Sequence, residues 1–334
     1  MEKNFCIVFK EPKNAILDER PIPCPADNQV LIKTRKTLVS TGTELTAFSG
    51  DYPKDSKWAE YLEYPFMPGY NNIGEIVDAG AKVDKKWIGR KVASTGGHSS
   101  YSVQSPERIY EIQRDVSDEE AVFFTIAQIV MNSVRRGQVG WGDSVIVYGL
   151  GLLGQFAVLF SRLSGARPVF AVDISDYRLG LLPQSPSIIK INSSADVFSK
   201  VEEHTRKRMA DVVFEVTGNS SLIPAEFEAL KRQGRFVVLS SPSGKTQFDF
   251  HDLCNSPSFT IIGTHNSSHP KYETPDNPWT LKRDFELFID LVADREIDLR
   301  GMISHKIDYK CAPGIYKKML EDRSKYMGVI IDWN

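Results

Sequence analysis

The chain has 334 residues, 41% of them hydrophobic, and a formal net charge of −2 at pH 7. This length is typical of about two domains, and the charge predicts no nucleic-acid partner. No apolar run is long enough to span a membrane, and the amino terminus lacks the profile of a signal peptide. We therefore expect a cytoplasmic protein with no membrane partner. The four cysteines are scattered singly, so we expect them to be reduced thiols.

Residues 1–125 are rich in short strands and turns. Alternating or β-branched runs next to turn residues predict strands at 29–34, 73–78 and 90–94. This pattern is typical of an all-β fold with inserted helices. We therefore predict a β-rich domain over 1–125.

From 126 to 263 predicted strands alternate with predicted helices. The strands are expected at 144–148, 168–173, 188–191, 211–216, 235–240 and 259–263. The helices are expected near 152–163, 176–182, 194–206 and 221–231. Such alternation favours an α/β domain with a doubly wound parallel sheet.

The last part of the chain returns to the first pattern. A polar loop occupies 264–280, and an apolar stripe predicts a helix around 279–294. Strands are predicted at 303–308 and 327–332. Because these strands are short and alternating, we assign the tail to the first domain.

A glycine-rich motif opens the predicted α/β domain. The apolar run ending at Tyr148 is followed by three glycines in the spacing G-x-G-x-x-G. Glycines at this spacing allow a tight turn, close approach of the backbone to a pyrophosphate and close packing of the next helix. The first N–H groups of that helix point at the phosphates. We predict cofactor contacts from Gly149, Gly151, Leu152, Leu153 and Gly154.

Asp173 ends the next predicted strand, about 20 residues beyond the glycines. A carboxylate here accepts hydrogen bonds from the adenosine ribose and repels a 2′-phosphate, which favours NAD over NADP. The alternative is that Asp173 only caps the following helix.

Further landmarks follow one another in order along the chain. They are Thr41-Gly-Thr-Glu-Leu45, Pro68-Gly-Tyr-Asn-Asn-Ile-Gly74, Phe214-Glu-Val-Thr-Gly218 and Gly234-Arg-Phe-Val-Val-Leu-Ser240. With the glycine turn, they resemble the medium-chain dehydrogenase/reductase superfamily over nearly the whole chain. The resemblance implies an α/β protein with a GroES-like catalytic domain, formed by 1–125 and 264–334, and a Rossmann domain over 126–263. It also implies cofactor contacts from Arg178, Thr217, Leu239 and Thr264.

The chain departs from zinc-dependent relatives at each metal ligand. The resemblance implies a cysteine in the first landmark and a histidine in the second, where this chain has Thr41 and Tyr70. The third ligand falls near Phe123-Phe124-Thr125, and residues 85–110 lack the cysteines of a structural zinc site. Hydroxyl groups are poor zinc ligands. We predict no zinc, as in a zinc-lacking subgroup that includes bacteriochlorophyllide dehydrogenase and dehydrogenases of secondary metabolism.

Four side chains are candidates for the chemistry. By resemblance Thr43 passes on the proton of the substrate hydroxyl, and Tyr70 takes the place of a metal ligand. The alternatives are that Thr43 caps its own turn and that Tyr70 fills the vacated volume. Glu44 matches an acid that supports the metal-binding loop. His98 and His265 are imidazoles suited to act as bases, although both lie in polar turns where surface histidines are common.

The predicted function is a zinc-independent, NAD-dependent dehydrogenase. We expect it to act on a secondary hydroxyl, or its ketone, in a sugar, cyclitol or polyol, because the loop 264–280 with its His269 is polar and long. The alternatives are an NADPH-dependent enone or quinone reductase and a dinucleotide-binding protein without turnover. The resemblance also implies a homodimer paired through the strand at 259–263.

Overall fold

The structure is a computed structural model that describes residues 2–334. The chain forms two compact units: a β-rich unit, from the amino terminus to Thr125 with Phe285–Asn334, and an α/β unit, Ile126–Asp284. The second boundary therefore lies at Phe285, whereas the sequence placed it at 264. The segment 264–284 belongs to the α/β unit because side chains of that unit bind it. Gln128 Nε2, for example, donates to the carbonyl oxygen of Leu281 at 2.7 Å.

The strands are numbered in chain order. Before the α/β unit they are β1 (Asn4–Glu11), β2 (Asn14–Arg20), β3 (Val30–Leu38), β4 (Asn72–Ala79), β5 (Lys91–Ser94), β6 (Tyr101–Gln104) and β7 (Ile109–Glu111). The α/β unit contains β8 (Val145–Tyr148), β9 (Val169–Asp173), β10 (Ile188–Asn192), β11 (Ala210–Glu215), β12 (Leu230–Val238) and β13 (Thr260–Gly263). The tail adds β14 (Ile303–Asp308) and β15 (Gly328–Asp332).

The helices are numbered in the same way. The first part of the chain has α1 (Thr43–Ser49), α2 (Lys57–Tyr61), α3 (Asp118–Ala121) and α4 (Phe124–Arg136). They are followed by α5 (Leu152–Leu163), α6 (Asp176–Leu181), α7 (Val197–His204), α8 (Ile223–Glu226), α9 (Leu281–Ala293) and α10 (Ala312–Glu321). Among residues 2–334, no helix has the length and apolar character needed to cross a membrane.

The β-rich unit is built from a hairpin and a larger sheet. The strands β1 and β2 pair antiparallel, and the larger sheet runs β14-β15-β3-β4-β5-β7, with β6 also paired to β3. A buried core joins the hairpin to α1 and α10, and it includes Phe9, Phe48, Tyr316 and Trp333. This core fixes the polar residues that follow β3 against the end of the chain.

The α/β unit has a parallel sheet in the order β10-β9-β8-β11-β12-β13, as far as the described residues extend. This is the Rossmann order, and it confirms the predicted α/β class. In such sheets the ligand binds beyond the carboxyl ends of the strands, where the order reverses between β8 and β11. The predicted cofactor residues follow those strand ends.

One predicted helix, 221–231, is wrong over most of its length. Only Ile223–Glu226 is helical, and β12 already begins at Leu230. The backbone N–H of Ala210 donates to the carbonyl oxygen of Ala229 at 2.9 Å, so the chain there pairs with β11 instead of continuing the helix.

Candidate functional site

The glycine turn joins β8 to α5, and the fold requires its two outer glycines. Gly149 has a φ of +90°, and a Cβ there would lie 2.9 Å from the backbone nitrogen of Thr217. A Cβ on Gly154 would lie 1.9 Å from the carbonyl oxygen of Gly149. A side chain at either position would therefore force the backbone apart.

Gly151 differs because the fold leaves room for a side chain there. A Cβ at this position would meet no atom within 4 Å, and its φ of −64° suits any residue. Gly151 is the N-cap of α5 but has no side chain to cap the N–H groups of Leu152 and Leu153. Open space above uncapped N–H groups is what a pyrophosphate requires.

Asp173 lies beside the turn, with 6% of its surface exposed. Its carboxylate accepts hydrogen bonds from the N–H of Leu150 at 2.6 Å and of Ser175 at 2.8 Å. Arg178 Nη1 lies 3.6 Å from the same carboxylate. Asp173 thus holds the turn and the start of α6, and each oxygen keeps a lone pair for a ribose hydroxyl. Ribose binding by Asp173 and Arg178 stays a prediction.

Thr217 and Leu239 follow the carboxyl ends of β11 and β12. The fully buried Glu215 accepts hydrogen bonds from Thr217 Oγ1 at 2.7 Å and from the N–H of Gly218 at 2.8 Å. The hydroxyl of Ser240, next to Leu239, donates to the other carboxylate oxygen. Glu215 therefore shapes both strand ends that the resemblance places along the cofactor.

A second buried carboxyl, Glu226, is a feature that the sequence did not reveal. It is 3% exposed, and neither of its oxygens has a hydrogen-bond partner among residues 2–334. Burial and the charge of Glu215 raise the pKa of Glu226 to about 9. Burial and Glu226 also raise the pKa of the Tyr148 phenol well above its usual value. Glu226 is therefore protonated at neutral pH.

Thr264 and His265 follow β13. The hydroxyl of Thr264 donates to the carbonyl oxygen of Val238 at 3.1 Å and accepts from Ser133 Oγ at 2.8 Å, so it is used within the unit. His265 is exposed, and its Nδ1 accepts the N–H of Ser267 at 3.3 Å, which caps the next turn. The predicted contact between Thr264 and the cofactor would therefore use backbone atoms of Thr264. Catalysis by His265 stays a prediction.

The loop 264–280 is attached to the rest of the α/β unit. Asn132 Nδ2, from α4, donates to Ser268 Oγ at 2.8 Å. The side chain of His269 is 2% exposed, and its Nε2 lies 3.2 Å from Asp284 Oδ2. The imidazole of His269 is therefore buried against Asp284 and closed to solvent.

In the β-rich unit, three hydroxyl groups come together around Tyr70. Its phenol donates to Ser40 Oγ and also contacts the hydroxyl of Thr43. Burial raises the pKa of Tyr70 to about 12. Tyr70 therefore keeps its proton at neutral pH, so the phenol can donate a hydrogen bond but cannot serve as a base.

Glu44 anchors the segment that carries these hydroxyls. It is 1% exposed, and its Oε1 accepts the N–H of Ser40 at 2.8 Å. Its Oε2 accepts from the phenol of Tyr316 at 2.7 Å and lies 3.0 Å from His98 Nε2. Burial and Glu44 raise the pKa of Tyr316 well above its usual value, so this phenol stays a donor.

His98 is buried, and both of its ring nitrogens have partners. Its Nδ1 lies 2.8 Å from Thr37 Oγ1, which accepts the indole N–H of Trp333 at 2.9 Å. The hydroxyl proton of Thr37 is then available to Nδ1, which places the ring proton on Nε2 toward Glu44. A Cβ on Gly69 would lie 2.7 Å from the backbone nitrogen of His98, so the Pro-Gly-Tyr turn packs directly on this histidine. His98 is positioned to hold the loops, and its catalytic role stays a prediction.

The side chains at the zinc-ligand positions of the superfamily do not suit a zinc ion. No group of three His, Cys, Asp or Glu residues that could hold a metal ion is present in residues 2–334. At the ligand positions themselves, Thr41 offers a hydroxyl and Tyr70 a phenol that holds its proton. Neither residue fits a zinc ion, which prefers thiolate, imidazole or carboxylate.

Comparison with known proteins finds dehydrogenases. Residues 153–280 match the family model described as zinc-binding dehydrogenase. D-guloside 3-dehydrogenase of Escherichia coli K12 is 24% identical, over 97% of this chain and 99% of the relative. L-galactonate-5-dehydrogenase of the same strain is 23% identical, over 97% and 98%.

Two solved structures share the fold of the whole chain. An alcohol dehydrogenase from E. coli CFT073 in complex with NADH has a TM-score of 0.83 at 18% identity, covering 99% of this chain and 100% of that one. A putative zinc-binding dehydrogenase from Sinorhizobium meliloti 1021 bound to NADP has the same TM-score, identity and coverage. The fold is therefore known to hold either dinucleotide.

Proposed function

We propose that the chain, which resembles the medium-chain dehydrogenase/reductase superfamily of alcohol dehydrogenase type, interconverts a secondary hydroxyl and a ketone on a polar small molecule. The relatives named above act on a guloside and a galactonate, which are both rich in hydroxyl groups. A sugar, cyclitol or polyol derivative is the substrate class that we infer for this chain.

The α/β unit would hold the dinucleotide, and we infer a preference for NAD. Gly151 and the uncapped N–H groups of Leu152 and Leu153 would bind the pyrophosphate. Asp173 would accept the ribose hydroxyls and repel the 2′-phosphate of NADP. A bound nicotinamide supplies the acceptor, or the donor, of the hydride.

The reaction would proceed without zinc, because the hydroxyls around Tyr70 can manage the substrate oxygen. Ser40 Oγ, which accepts the Tyr70 proton in the structure, can instead donate to the phenol, so Tyr70 is free to donate to a ligand. In that arrangement Tyr70 would donate a hydrogen bond to the substrate oxygen. This bond would polarise the carbonyl of a ketone, or stabilise the oxygen of an alcohol as it loses its proton. Thr43, which is half-buried beside it, would accept that proton from the substrate oxygen as it gives its own hydroxyl proton to solvent water.

The observation that carries this proposal is the cluster of Ser40, Thr43 and Tyr70 where relatives have metal ligands. The experiment is to follow NADH formation with NAD and a panel of sugars, cyclitols and polyols. We expect Tyr70→Phe to lower kcat by about tenfold or more, because one hydrogen bond to the reacting oxygen is lost, while NAD affinity is unchanged. Tyr326→Phe is the control, because Tyr326 is a half-buried tyrosine of the same unit whose ring stacks on His305, and this variant should behave like the wild type.

Three results would contradict the proposal. Unchanged kcat in Tyr70→Phe would show that Tyr70 only fills space. Tight NAD binding without turnover on any substrate of the panel would favour a dinucleotide-binding protein. A clear preference for NADPH, with turnover of enones or quinones only, would favour the reductase alternative.

We also infer a homodimer formed through β13. This strand is the edge of the parallel sheet, and Ile261 on it is 42% exposed. An exposed apolar edge strand is usually covered or paired, and a twofold mate would continue the sheet. Analytical ultracentrifugation should show a dimer that Ile261→Lys converts to a monomer; a monomeric wild type would contradict the inference.

A further inference from the structure

The loop 264–280 ends in a group of cationic side chains around one indole ring. The guanidinium carbon of Arg135 lies 3.7 Å from the centroid of the Trp279 ring, and that of Arg283 lies 4.3 Å from it. Stacking of this kind fixes the orientation of a guanidinium and leaves its N–H edges free to donate. Both cations are thus oriented by the indole ring of Trp279.

The carboxylate of Asp284 faces two of the neighbouring side chains, Arg135 and His269. Asp284 is fully buried, and its Oδ1 lies 2.6 Å from Arg135 Nη1. Its Oδ2 faces His269 Nε2, while Nδ1 of that ring faces the carbonyl oxygen of Asn266 at 2.8 Å. Asp284 is therefore fully engaged by Arg135 and His269.

Arg283 has no acceptor of its own. Among residues 2–334 its guanidinium makes no ion pair or hydrogen bond, and its contact is the stack on Trp279. Burial and the nearby charge of Arg283 act against the charged form of Arg135 and lower its pKa, although Asp284 opposes this. An excess of positive charge therefore remains beside a rigid aromatic surface.

We propose that Arg283, stacked on Trp279 beside Arg135, binds an oxyanion, either the carboxylate or the phosphate of a small polyhydroxy ligand. The planar edge of the Arg283 guanidinium matches the two oxygens of such a group. The proposal rests on the proposed function only in identifying the ligand as the substrate: the enzyme then acts on acidic or phosphorylated polyols. The site itself exists or not independently of turnover.

The experiment is calorimetric titration of the purified protein, without cofactor, using three probes. D-gluconate carries a carboxylate, D-glucitol is its uncharged counterpart, and inorganic phosphate represents the phosphate arm. We expect gluconate or phosphate to bind and glucitol not to bind. Binding of gluconate alone assigns the site to carboxylates, and a phosphate component that depends on Arg283 assigns it to phosphates.

The variants compare two positive charges of the same region. Arg283→Gln should weaken anion binding by about tenfold or more, because a charge-assisted hydrogen bond is lost. Lys271→Gln removes an exposed charge from the same loop and should leave the affinity unchanged. Phosphate that binds at the glycine turn instead would have the same affinity for Arg283→Gln as for Lys271→Gln. If Arg283→Gln fails to fold, Arg283→Lys keeps the charge but not the planar edge, and its affinity should fall as well.

Three results would overturn the proposal: no binding of either anion, equal binding of glucitol and gluconate, or equal loss in the Arg283 and Lys271 variants. Because no turnover is measured, these results are separate from a failure of the dehydrogenase proposal. An active enzyme without the anion site would keep the function and lose only the acidic substrate class. Anion binding without turnover would do the reverse.

Discussion

The buried carboxyl of Glu226 predicts a stability that falls as pH rises. In the unfolded chain this group ionises near 4.5, whereas in the folded protein burial and the charge of Glu215 raise its pKa to about 9. Between these values the folded state holds a proton that the unfolded state has released. The free energy of unfolding then falls by about 1.4 kcal/mol per pH unit, or about 3 kcal/mol by pH 7.

Replacing Glu226 by Gln removes this dependence. The amide is neutral in both states and nearly isosteric, so the variant should gain stability over the wild type as pH increases. We expect a gain of about 3 kcal/mol at pH 7, against a typical total of about 5–15 kcal/mol. The slope with pH is the more informative quantity, because any difference in packing between carboxyl and amide is independent of pH.

The assay is chemical denaturation followed by circular dichroism at several values between about pH 5 and pH 8. Glu228→Gln is the control, since Glu228 is exposed two residues further on and loses the same charge. The difference in free energy of unfolding between Glu228→Gln and the wild type should not increase with pH. A difference between Glu226→Gln and wild type that does not change with pH, or an equal slope in the control, would refute the account of this carboxyl.

Three further predictions concern the cofactor turn and the buried polar network. Gly151→Ala should fold normally and bind NAD more weakly, as read by calorimetry and circular dichroism, because its Cβ meets no protein atom within 4 Å; normal NAD affinity would contradict the cofactor turn. Asp173→Ala should weaken NAD binding and narrow the preference over NADP in paired titrations, and an unchanged ratio would exclude its contact with the ribose. Tyr316→Phe should cost about 1–3 kcal/mol in denaturation by removing a buried donor from Glu44, while a loss near zero would show that Glu44 does not depend on it.

The fold and the shape of the glycine turn could be predicted because their signals are local. The helix at 152–163 has the bounds expected from its apolar spacing, and Gly154 in its first turn packs on the carbonyl oxygen of Gly149 just before it. Asp173 likewise lies at a fixed distance along the chain from those glycines. In each case the residues that interact are close in sequence.

The polar network of the β-rich unit could not be predicted, because its members are far apart along the chain. Tyr316 and Glu44 are separated by 272 positions, and Trp333 and Thr37 by 296. A single buried tyrosine on an amphipathic helix looks the same whether or not it donates to a carboxylate. Glu226 was missed for a related reason, since a predicted helix over 221–231 gave no cause to expect a buried carboxyl.

The boundary of the tail shows the same limit. The pattern of short strands at the end of the chain indicated a return to the β-rich unit, but it carried no information about the contacts of the loop before it. Asn132 and Asp284 hold that loop in the α/β unit through Ser268 and His269. These contacts depend on side chains that meet only in the folded protein.

The central claim is hydroxyl oxidation without a catalytic metal, and turnover of chelator-treated enzyme tests it most directly. The protein would be dialysed against a strong chelator, its metal content measured, and NADH formation followed with NAD and a hydroxyl substrate from the panel. The account predicts full turnover at a zinc content far below one ion per chain, and no stimulation by added zinc. Loss of turnover on chelation, with recovery on adding stoichiometric zinc, would contradict it.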